Sequence, residues 1–179
     1  MAKSKESAAA AAGTSSVSTA GTVDRHFLHQ AKSLEEKLIE MRRHLHECPE
    51  LSFHEHKTAA LMKDKLDSYG YKTKAGVGKT GVIGDLGKDG PVIAIRADMD
   101  GLPIDETNPN KYISKNKTVM HACGHDGHMA CGLTAAQMLS QTELPGRVRM
   151  VMQPAEEATD SDGKSGAWRM LEDNALDGV

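Results

Sequence analysis

Arg147-Val148-Arg149-Met150-Val151-Met152-Gln153 runs directly into Pro154-Ala155-Glu156-Glu157. Val148, Met150 and Met152 alternate with Arg147, Arg149 and Val151, the two-residue period of a β-strand. Proline closes the strand, and two adjacent carboxylates follow it. Upstream, Val92 to Ala97 and Gly81 to Leu86 are two more short apolar runs. The turn-like Gly87-Lys88-Asp89-Gly90 between them predicts that these two strands are adjacent. Helices are predicted around them. Leu34, Leu38, Met41 and Leu45 fall on one face of a helix from about Ala31 to Cys48, which Pro49 cannot continue. Ala59, Met62, Leu66 and Tyr69 form one stripe of a helix from about His54 to Tyr69, with Gly70 as its stop. Further helices are predicted from about Asp126 to Gln141 and from Lys164 to Asn174. This order of elements predicts an α/β fold built around a mixed sheet.

The chain has 179 residues and a net charge of -3, with 39% hydrophobic and 3% aromatic residues. That length suits one domain with a real core. No stretch approaches the roughly 18 apolar residues of a membrane span, which excludes an integral helical membrane protein. Nearly balanced charge gives no electrostatic case for nucleic acid or an acidic membrane. Cys48, Cys123 and Cys131 are too few for a disulfide framework, so a reducing, cytoplasmic setting is expected. Seventeen of residues 1–22 are Ala, Ser, Thr or Gly. They are predicted to be a disordered tail, and residues 23–179 the folded domain.

The polar residues cluster at strand ends. Asp98-Met99-Asp100 follows Val92 to Ala97. His121-Ala122-Cys123-Gly124-His125-Asp126-Gly127-His128 opens the next helix. Glu156-Glu157 follows the last strand. In open α/β sheets the carboxyl edge is where ligands bind, so the three clusters can converge there. Cys123 and His125 offer a thiolate and an imidazole to a divalent ion. The competing reading is a polar loop that caps the helix through Asp126. Of Glu156 and Glu157, one can ligate an ion while the other serves as general base to a water; an exposed acidic pair is the alternative. Asp98 and Asp100 face the same side of an extended segment. His44, His46, His54 and His56 read as structural or solvated.

These residues resemble the M20 metallopeptidase and amidohydrolase family, in its aminoacylase, hippurate hydrolase and indole-acetyl-amino-acid hydrolase branch. Four ordered motifs carry the resemblance: Arg42 to Glu55, Arg96 to Ile104, Met120 to His128 and Gln153 to Glu157. The resemblance implies a three-layer, mixed-sheet, zinc-peptidase-like catalytic domain. It implies that Cys123, His125 and Glu157 are metal ligands and that Glu156 is the general base. Asp100 is carried over as a catalytic-motif residue and Asp98 as the position of a histidine ligand in other branches. His121 and His128 would stand behind the ligands. Two divalent ions are implied, with Zn, Mn, Co or Ni as candidates. The implied activity is amide hydrolysis of N-acyl amino acids or small peptides, and the full-length form is expected to be a homo-oligomer.

The resemblance also implies more chain than is present: a lid domain, a C-terminal half and two further ligand histidines, whereas no histidine follows His128. This chain alone is therefore expected to have little or no hydrolase activity. An inactive remnant and a non-catalytic binder on the same fold are the rival readings. Retention of both Glu156 and Glu157 speaks against the binder.

Overall fold

A computed structural model describes residues 25–179, so the tail expected over residues 1–22 lies outside the described residues. Three short helices come first: α1 (Arg25–Ser33), α2 (Glu35–Glu47) and α3 (His56–Ser68). Strands β1 (Lys72–Val77), β2 (Gly81–Gly87) and β3 (Val92–Asp98) follow. Then come α4 (His125–Ser140), β4 (Arg147–Gln153) and α5 (Gly166–Glu172). The helix expected from about Ala31 to Cys48 is broken at Leu34 and preceded by α1. Cys48 leaves helical geometry just before Pro49, whose ring disfavours a helical residue in front of it. In α3 the stripe Ala59, Met62 and Leu66 is buried as its spacing requires.

The sheet runs in the order β1-β2-β4-β3. This corrects the expectation that β2 and β3 are neighbours. β4 lies between them, antiparallel to β2 and parallel to β3. The reason lies in the side chains. β4 is buried from Val148 through Gln153, on both faces, and a strand of that kind belongs at the centre of a sheet. Its one buried cation, Arg149, is answered by a two-pronged contact to Asp85 at 2.8 and 2.7 Å and by the carbonyls of Ala175 and Asp177. β1 carries no apolar run; Lys72, Lys74, Ala75 and Gly76 are exposed on an edge strand, so only pairing with β2 reveals it.

Three layers result. On one face, Leu45, Met62, Leu66, Met129, Leu133 and Ala136 from α2, α3 and α4 pack on Val82, Ala97, Met150 and Met152. Each fully buried Leu, Val or Met side chain among them contributes about 1.5–3 kcal/mol by leaving water. On the other face, Met170 of α5 packs with Val77, Val151 and Ala175. Among the described residues no helix is long and apolar enough to cross a membrane.

Candidate metal centre

The parallel pairing of β3 with β4 brings two distant clusters to one edge. Asp98 is in register with Gln153, and the Met99 N–H continues the ladder to the Gln153 carbonyl at 2.9 Å. Asp100 and the acidic pair therefore leave the sheet side by side. The Glu157 N–H donates to Asp100 Oδ2 at 3.0 Å.

The third cluster arrives through α4. Its N-cap is Gly124, at φ +95, a conformation open to glycine because it lacks a Cβ. Asp126 is thus not the cap. It is buried in the first turn, where Oδ2 meets His46 Nδ1 at 2.7 Å and Arg42 Nε at 2.8 Å. His125, the first residue of α4, is buried with its ring against the end of β3. Its Nδ1 lies 2.9 Å from the Asp100 carbonyl and 3.3 Å from Asp100 Oδ1. The Nδ1–H donates to that carbonyl, which turns Nε2 toward the carboxylates, 3.8 Å from both Glu156 Oε2 and Glu157 Oε1.

Cys123, His125 and Glu157 each offer one donor atom within 4.8 Å of the others. Asp98, His125 and His128 form a second such group, although Asp98 Oδ1 also holds Arg96 at 2.8 and 2.6 Å. Asp100 lies behind His125 and Glu157 rather than among them. Its side chain is buried, and Oδ2 also accepts the Ser52 hydroxyl at 2.6 Å. Glu156 is the exposed member of the acidic pair.

The charges in the site are unbalanced. Contact with Glu157 raises the Cys123 thiol, as do burial and the carboxylates of Glu157, Glu156 and Asp100. Burial opposes a proton on His125, but its bonds to Asp100 and the charges of Asp100 and Asp98 outweigh that and push it up to about 9. Burial pulls His121 down to about 4, and both of its ring nitrogens lack a protein partner. Glu157 Oε1 is likewise buried without a partner.

Ser52 and Glu55 were not singled out in the sequence, and His46, expected to be structural or solvated, is structural. His46 is a buried link, bonded to Asp126 and, through Nε2, to Glu106 at 3.1 Å. Ser52 and Glu55 also touch the site. All three lie in the Arg42 to Glu55 motif, which was the only signal available for them.

The fold is the three-layer, mixed-sheet arrangement of zinc-peptidase-like catalytic domains, with its polar cluster at the carboxyl ends of a parallel strand pair. Residues 94–179 match the model of peptidase family M20/M25/M40. N-acetyl-L-cysteine deacetylase of Bacillus subtilis is 46% identical over 151 residues, covering 82% of this chain and 35% of the relative. N-acyl-L-amino acid amidohydrolase of Geobacillus stearothermophilus is 45% identical over 146 residues, covering 79% and 38%. The solved Bacillus subtilis YXEP protein, described as a dinuclear metal binding peptidase from the M20 family, superposes with a TM-score of 0.75. It is 44% identical and is covered to 42%, against 83% of this chain. The chain belongs to the M20 family. It spans little more than a third of the length of the curated relatives it matches.

Proposed function

We propose that this chain carries the metal-binding and acid–base portion of an amide hydrolase acting on N-acyl amino acids or small peptides. The observation that carries the reading is the convergence of Cys123, His125 and Glu157, with Glu156 beside them. The donor set suits divalent ions. Glu157 Oε1 is buried without a partner, His125 turns Nε2 toward Glu156 and Glu157, and the surrounding negative charge disfavours the Cys123 thiolate unless a cation answers it. Thiolate and imidazole favour zinc; the carboxylate and imidazole also admit manganese, cobalt or nickel. The YXEP relative is dinuclear, and this chain is read as contributing to a site for two ions.

Bound ions would supply Lewis acidity toward the amide carbonyl and the attacking water. The protein supplies the proton traffic. The Glu156 carboxylate is 40% exposed and 3.8 Å from His125 Nε2, so it can accept a proton from water and return it to the departing amine. Asp100 holds His125 in the tautomer that faces the site and ties down the Glu157 backbone. Through these contacts it positions both groups.

Equilibrium dialysis against zinc tests the reading. The chain should take up zinc at neutral pH, and His125→Ala should lose that uptake while its circular dichroism remains that of the parent. A folded chain that takes up no zinc would overturn the assignment.

A further inference from the structure

The segment between α2 and α3, Glu50-Leu51-Ser52-Phe53-His54-Glu55, is given no part in the reaction above. It nevertheless sends a carboxylate to the base of the acidic pair. Glu55 is fully buried, at 0% exposure. Its Oε1 accepts the Ala155 N–H at 2.8 Å, and its Oε2 accepts the Thr80 hydroxyl at 2.5 Å. Ala155 directly precedes Glu156 and has φ +44, a left-handed conformation that is strained for a residue with a Cβ. The turn is held from its other side as well, where the Ala155 carbonyl accepts the Gly166 N–H at 2.9 Å. A buried carboxyl is costly unless hydrogen bonds answer it, and amide hydrolysis does not need a third acid sealed from solvent.

We propose that Glu55 is a positioning residue: it holds Ala155 in its left-handed turn and so fixes the direction in which Glu156 and Glu157 leave β4. What the acidic pair does rests on the function proposed above; the clamp itself rests on the turn. Without the acceptor, the Ala155 N–H is buried with no partner and the backbone relaxes toward negative φ. That rotation carries both following side chains away from Cys123 and His125. Burial raises the Glu55 pKa, while Thr80 and the Ala155 N–H oppose the rise. The clamp survives protonation, because a neutral carboxyl can donate to the Thr80 oxygen and still accept from Ala155. For the same reason Glu55→Gln keeps both contacts, whereas Glu55→Met keeps the volume and loses them.

Cobalt(II) is the probe, read by the thiolate-to-cobalt absorption band and by affinity. The parent chain and Glu55→Gln should bind with the same spectrum and affinity. Glu55→Met should bind about 10- to 100-fold more weakly with an altered band, the range seen when groups supporting a ligand are removed. Adding Ala155→Gly, which relieves the strain of the turn, should recover part of the loss. Amide hydrogen exchange of the parent chain provides a second measurement that needs neither a variant nor an ion. The Ala155 amide should be as protected as those of β4. A folded Glu55→Met chain with unchanged cobalt affinity and spectrum overturns the proposal, and so does an unprotected Ala155 amide. If the parent chain binds no cobalt, the metal assignment falls, and the exchange measurement still decides the clamp.

Discussion

Replacing Asp100 by Asn removes one charge from the centre of the site and leaves its shape. Asp100 is buried, with Oδ2 accepting from Ser52 at 2.6 Å and from the Glu157 N–H at 3.0 Å, and Oδ1 facing His125 at 3.3 Å. Burial alone would raise its carboxyl. The contacts with His125, Ser52 and the backbone of Glu157 and Glu156 outweigh it, taking the pKa from 3.8 to about 2. At about 1.4 kcal/mol per pH unit, that drop corresponds to roughly 2–3 kcal/mol of folding free energy. The rise of His125 to about 9 reflects the same contact, so the interaction is counted once. The signs of the two shifts define a window. The depressed Asp100 contributes above its unfolded value of 3.8 and loses that contribution as pH falls through about 2. The raised His125 contributes below 6.5 and loses its share as pH rises through about 9. Urea unfolding of the metal-free chain and of Asp100→Asn, in steps across that range, gives the difference directly. It should be roughly 2–3 kcal/mol near pH 5 to 6 and shrink on both sides. A difference below about 0.5 kcal/mol there, or one that does not vary with pH, would mean that Asp100 and His125 are not coupled in the folded chain.

Glu156→Gln should leave zinc uptake by this chain intact in equilibrium dialysis, because the role proposed for Glu156 is proton transfer and not ligation. Met62→Ala opens a cavity in the larger core cluster, where Met62 is 0% exposed, and should cost about 3 kcal/mol in urea unfolding. Asp85→Asn leaves the buried Arg149 without its charge partner and should cost about 2 kcal/mol by the same method. Gly166→Ala would place a Cβ 1.7 Å from the Pro154 carbonyl oxygen. The backbone must shift, so both thermal stability and zinc uptake should fall; an unchanged melting curve would show that the contact is soft.

Much of this molecule was legible because local chemistry and periodicity carry it. The stripe of α3, the span of β4 and the three polar clusters at strand ends follow from residue order alone, since a side chain's direction along a helix or strand depends on its neighbours in sequence. β1 escaped because Lys72, Lys74 and Gly76 give it no apolar pattern, and a strand of that kind exists only through its partner. The adjacency of β2 and β3 was misread because a turn-like segment favours a hairpin locally, while burial of β4 on both faces decides the order globally.

The site divides in the same way. Residue type made Cys123, His125, Glu156 and Glu157 candidates, because thiolate, imidazole and carboxylate are the groups that ligate ions or accept protons, and the motif resemblance was what separated them from a capping loop and an exposed acidic pair. Which of them stand together, and what holds them, was settled only by the tertiary structure. Asp100 became a support for His125, Asp126 turned away to His46 and Arg42, and Glu55 reached the Ala155 turn across 100 residues of sequence. Those contacts depend on which strand ends lie side by side, and strand order is a property of the whole packed sheet and is not set by any one segment.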